Sequence, residues 1–255
     1  MTTSVSLGRH PLLHLEVRHV PASQPLIWLR QGVDDLRRFG WRSLAQGAMI
    51  AILGAVLLML FSTHAYLVTA AVTGYLLVGP IMTTELCELS RRHERQEALS
   101  GDEPSQPSTG NATSLIQFGA ILAAIALVWL IASATMLQAV ESTPALNLAD
   151  VLWGTDAMTG PQLLTYFASG AVLAIIVFAL SVVAVPLIID RHTSAMDAIW
   201  TSIRVTLANI PAMLVWATVI VCLTAVGFIT LLVGMVVVAP LLGHATWHAY
   251  RDLVR

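Results

Sequence analysis

The 255-residue chain is 56% hydrophobic and only 11% charged, with a formal net charge of −2 and a mean hydropathy of +0.77. Soluble domains carry about 25% charged residues, so this chain has too little charge to cover a water-facing surface, and lipid must solvate much of it. The near-neutral balance leaves no footprint for nucleic acid.

Residues 1–24 are polar, with His10, His14 and His19 scattered among prolines, and read as a cytoplasmic tail. They lack the charged-then-apolar design of a signal peptide, so no cleavage is expected. The segment "PLIWLRQGVDDLRRF" opens with Pro25 at a first helical position. Leu29, Val33 and Leu36 share one face and Asp34, Asp35, Arg37 and Arg38 the other, which predicts an amphipathic helix along the inner leaflet.

A bilayer core needs roughly 20 helical residues to cross. Six apolar stretches approach or exceed that length: Ser43–Phe61, Ala65–Thr83, Ser114–Gln138, Pro161–Ile189, Pro211–Gly227 and Ile229–Ala249. The turn "STHA", holding His64, joins the first two, and almost nothing joins the last two, so both pairs read as helical hairpins. Between them lie a Ser-, Pro- and Gly-rich linker at 100–113 and an outer loop, Ala139–Gly160, holding Trp153. A second amphipathic segment, "DAIWTSIRVTLANIP", puts Ile199, Ile203 and Leu207 on its apolar side.

All 13 basic residues are arginine. With six spans, every one falls on the same side, while Glu141, Asp150 and Asp156 lie in the opposite loop. By the positive-inside rule both termini are cytoplasmic. The expected architecture is therefore all-α and polytopic: three transmembrane hairpins plus interfacial helices, forming one membrane domain over 25–255.

The even-numbered spans align on Pro80, Pro186 and Pro240. Each proline removes a backbone donor, kinks its helix and frees a carbonyl four residues back, at Leu76, Val182 and Val236. Four residues past the prolines stand Thr84, Asp190 and His244; eight past stand Glu88, Ser194 and His248. If the kinks gather on the inner side, Glu85, Glu88, Asp190, His192, His244 and His248 form a polar cluster there, with Glu85, Asp190 and His244 within reach of one another.

His244 and His248 share a helical face. Imidazole plus carboxylate suits Zn, Fe or Mn, but the pair lacks the Glu of the zinc-hydrolase motif. The preferred reading is a polar and aromatic belt with Trp247 and Tyr250 at headgroup level; no cofactor is assigned, and haem or a divalent metal is the sharper alternative. Cys87 and Cys222 form neither a disulfide framework nor a CxxC pair and read as idle thiols.

Four stretches carry a family resemblance: "WLRQGVDDL", "GPIMTTELCELSRRHE", "DRHTSAMDAI" and the closing "GHATWHAYRD", the most specific of them. Together they resemble a bacterial family of predicted integral membrane proteins classed as a domain of unknown function, some labelled cytochrome c oxidase subunit I-like. The resemblance implies a bacterial inner-membrane location. It brings no activity, and the oxidase label fits poorly, because no span here has a mid-membrane histidine.

No span carries an ionisable group near its middle, which argues against carboxylate-relay transport. No phosphate loop, dinucleotide fingerprint or nucleophile elbow occurs, so catalytic residues are not assigned. The reading that follows is a non-enzymatic accessory or assembly component of a membrane complex, or a homo-oligomer, in lipid. Alternatives are a small-solute or lipid-binding transporter or channel, and a metal- or haem-binding redox-associated protein.

Overall fold

The computed structural model describes residues 15–61, 72, 75, 79, 83–94, 109–138 and 160–255. The second expected span and Pro80, the outer loop, most of the linker, and His10, His14 and His64 fall wholly or largely outside them.

The described elements are helical: α1 (Gln24–Phe39), α2 (Trp41–Phe61), α3 (Thr84–Glu94), α4 (Thr109–Gln138), α5 (Gly160–Ser181), α6 (Ala184–Arg191), α7 (Ala195–Ala208), α8 (Ile210–Ile229) and α9 (Met235–Leu253). No strand occurs among the described residues, and Val17 and Val254 form an isolated antiparallel bridge. Among the described residues, four stretches are long and apolar enough to cross a membrane: Trp41–Leu60, Ala112–Met136, Gly160–Arg191 and Ile210–Ile229. Their outward faces expose Ile52, Met59, Ile131, Ile175 and Leu214, as lipid-facing surfaces do.

The expected sixth span is altered. Residues 230–234 form a turn, and α9 starts at Met235. The second half of α9 carries His244, His248, Arg251 and Asp252, too polar for the hydrocarbon, and only its first part, Met235–Leu242, is apolar throughout. α9 is the central helix, buried along most of its length. α1 and α2 run antiparallel along it in succession: Trp28 meets Asp252, Asp35 meets His248, Ser43 meets His244, and Gly54 lies near Leu232. The chain turns between them at Gly40, with φ 53°. The close approach of α2 depends on Gly47: any Cβ there would collide with the Val236 carbonyl and the Pro240 ring.

Both amphipathic helices form, but with different inner faces. The buried stripe of α1 is Pro25, Trp28, Gly32, Asp35 and Phe39, spaced three and four apart, with Leu29, Val33 and Leu36 half-buried beside it. Asp35 thus leaves the polar face and points inward. Its stripe rests on α9 rather than on lipid. In α7, Ile199 is buried and Ile203 half-buried, and the exposed stripe is Met196, Trp200, Arg204 and Leu207.

Pro186 does not kink a continuous helix. The chain breaks before it, at Val182 and Val183, and the proline sits in the first turn of α6, where its missing donor costs little. Ser202 of α7 bridges this break, accepting from the Val183 N–H at 3.5 Å and donating to the Ala179 carbonyl at 2.8 Å. Pro240 does lie inside α9. The repeat also parts at its next position, because Ser194 caps α7, accepting from the Asp197 N–H at 3.2 Å.

Candidate functional site

Four helices deliver one buried polar chain: Asp35 from α1, Ser43 from α2, Ser90 from α3, and His244 and His248 from α9. Ser43, Ser90 and His244 are 0%, 2% and 0% exposed, so each must find its partner within the protein. The Ser90 hydroxyl donates to Asp35 Oδ2 at 2.6 Å, which uses its only hydrogen. Its 2.7 Å contact with His244 Nδ1 therefore runs the other way, with Nδ1–H donating to Ser90. That leaves Nε2 as the acceptor for the Ser43 hydroxyl at 2.9 Å. His248 Nε2–H completes the chain on Asp35 Oδ2 at 3.0 Å. One tautomer satisfies every member.

The electrostatics agree with this assignment. Burial lowers the His244 imidazole from 6.5 to about 4, against the pull of Asp35, so the ring is neutral. Burial works to raise the Asp35 carboxyl, but hydrogen bonds from His248 and Ser90 outweigh it and hold the group below its ordinary value. Phe39 stacks on the His244 ring with centroids 5.4 Å apart and completes its enclosure. Chemically, the arrangement ties four helices together and holds a carboxylate ionised. The Ser43 hydroxyl and His244 have the contact of a nucleophile and its base, but Ser43 is sealed from solvent.

The other expected site residues stand outside this hydrogen-bonded chain. Asp190 accepts from the Tyr250 hydroxyl at 2.7 Å, in a second cluster with Arg191. That bond and burial, with burial the larger, push the Tyr250 phenol upward. Glu88 is held by Arg91 at 2.6 Å and Arg92 at 3.0 Å on its own helix, and these contacts overcome burial to lower its carboxyl. Glu85 is exposed, and His192 is an exposed left-handed cap ending α6. The bonds described for Asp190 and His244 thus run to different partners.

Trp247 and Tyr250 are also placed otherwise than expected: 1% and 0% exposed, both are core residues rather than a headgroup belt. Trp247 Nε1–H donates to Glu94 at 3.0 Å, and Arg251 pairs with the same carboxylate at 2.7 Å. Cys87 is buried, with its thiol 3.6 Å from the Gly243 carbonyl, and burial raises it to about 12, which makes it inert. Cys222 is exposed on α8. Among the described residues, no three His, Cys, Asp or Glu side chains form a metal-binding group.

Sequence reasoning missed Asp35, Ser43 and Ser90. The available signal was register: Asp35 falls on the same stripe as Trp28, Gly32 and Phe39, and a charge inside such a stripe implies a buried partner.

No curated protein and no solved structure matches the chain significantly. A family model does, over a segment that takes in all of "GPIMTTELCELSRRHE" and ends before the closing "GHATWHAYRD". Residues 67–190 match the family DUF2189, described as a predicted integral membrane protein, which is the family that the sequence resembles.

Proposed function

We propose that the chain is a non-enzymatic accessory or assembly component of a bacterial inner-membrane complex, crossing the membrane six times with both termini cytoplasmic. Parity supports an even number of crossings: Val17 pairs with Val254, with Arg18 N–H donating to Leu253 and Arg255 N–H to Glu16, so the two ends share one side.

The observation that carries the accessory role is how the polar side chains are used. Asp35, Ser43, Ser90, His244 and His248 are consumed in holding α1, α2, α3 and α9 to one another. The apolar faces of α4 and α5, by contrast, turn outward through Leu127, Ile131 and Ile175. A rigid body with inward polarity and wide apolar flanks suits lateral contact with other subunits within lipid.

Photo-crosslinking in cells from benzoylphenylalanine at Ile131 and at Ile175 tests this. The expected result is a discrete adduct with a different membrane protein from at least one position. Lipid adducts alone from both would overturn the reading.

A further inference from the structure

α7 packs one side against α4, α5 and α6 and leaves the other without a protein partner among the described residues. Its exposed residues are Met196 at 54%, Trp200 at 60% and Leu207 at 66%, with exposed Arg204 between the last two. Spaced by four, four and three, they form a single stripe along the helix. Facing water, such a stripe would be an uncompensated apolar surface. It is also continuous with a lipid-facing surface, because Ile210 at 51% and Leu214 at 65% extend it directly into the α8 span. Arg204 has no carboxylate partner among the described residues.

The opposite side of α7 is anchored, which fixes its orientation. Ala195, Ala198, Ile199 and Val205 are core residues, and Asn209 at its end receives the Val20 N–H at 2.9 Å and donates to the Arg18 carbonyl at 3.0 Å. The stripe therefore cannot rotate inward.

We propose that α7 is a membrane-surface docking helix whose occupant is the phospholipid of the Arg-rich leaflet. Met196, Trp200 and Leu207 enter the boundary between headgroups and acyl chains, and Arg204 rises to a headgroup phosphate. This rests on the membrane topology proposed above and adds a specific lipid contact to it.

Nitroxide labels in proteoliposomes of phosphatidylcholine and phosphatidylglycerol test it, since oxygen concentrates in lipid while a nickel chelate stays in water. Native Cys222, exposed on α8, serves as the control for the span. In a Cys222→Ser background, Met196→Cys, Trp200→Cys and Leu207→Cys each carry one label; these sites are exposed, so substitution spares the core. The expected result is higher collision with oxygen than with nickel at all three. Nickel dominating at the three α7 sites while oxygen dominates at Cys222 would overturn the docking helix and spare the topology. Labels shielded from both reagents would indicate a protein contact and also overturn it. Nickel dominating at Cys222 would instead refute the membrane placement of α8.

Discussion

Gly47 of α2 lies directly against the carbonyl oxygen of Val236 in α9, the carbonyl to which Pro240 can return no N–H. The proline and the glycine act together: one leaves an oxygen without its helical donor, and the other lets a neighbouring backbone come close enough to cover it with Cα–H. Gly47→Ala should destabilise the protein by about 1–3 kcal/mol, because the new methyl group must push two packed helices apart. Gly47→Val should cost more. Thermal unfolding in detergent checks both, and unchanged midpoints would show that α2 and α9 are not packed this closely.

The Asp35–His244 network gives a pH dependence with a definite sign. His244 titrates at about 4 when folded and at 6.5 when not, so below pH 6.5 the unfolded chain binds the extra proton. Stability therefore falls as pH drops from 6.5 towards 4, by up to about 3 kcal/mol at about 1.4 kcal/mol per pKa unit. Asp35 has a lowered folded value, so its contribution is present above the unfolded carboxylate value and is lost as pH falls through the folded one. His244→Phe should be less stable at pH 7, since Ser43 and Ser90 lose a partner, yet flatter between pH 6.5 and 4. Parallel wild-type and variant profiles would refute the buried neutral imidazole.

Much of the membrane architecture was legible because it is a matter of local composition. The stretches around α2, α4, α5 and α8 announce themselves by length and hydropathy, and the structure returns them close to where they were expected. The site was less legible because it is made by distant residues. Asp34 and Asp35 are adjacent acids, and only the position of α9 makes one solvated and the other buried. Pro186 and Pro240 look equivalent in sequence, but one opens a short helix after a break bridged by Ser202 while the other sits inside a continuous helix. His248 shares a face with His244, and what that face meets depends on α1, more than 200 positions away in the chain.

Topology makes a separate expectation. Reporter fusions after Glu97 and after Arg255 should behave as cytoplasmic, and one at Asp150 as exported. Six crossings put every arginine on one side, and the bridge between Val17 and Val254 requires both ends on one side. A cytoplasmic signal at Asp150 would remove a crossing on each side of it and reduce the count to four.

The histidine pair gives the last prediction. A metal or haem iron would need a ring nitrogen lone pair. On His244, Nδ1 carries the proton given to Ser90, and the lone pair of Nε2 already accepts from Ser43. A ligand bond there must break the Ser43 contact inside a pocket closed by Phe39. His248 has its Nε2–H on Asp35 and supplies at most one further ligand, whereas a structural site wants four. Purification in mild detergent should therefore give a protein with no Soret band and no stoichiometric metal, and a His244→Ala, His248→Ala double variant should change stability rather than colour or metal content. A Soret band, or near-stoichiometric metal that the double variant loses, would mean that the network rearranges to bind metal and would restore the redox reading.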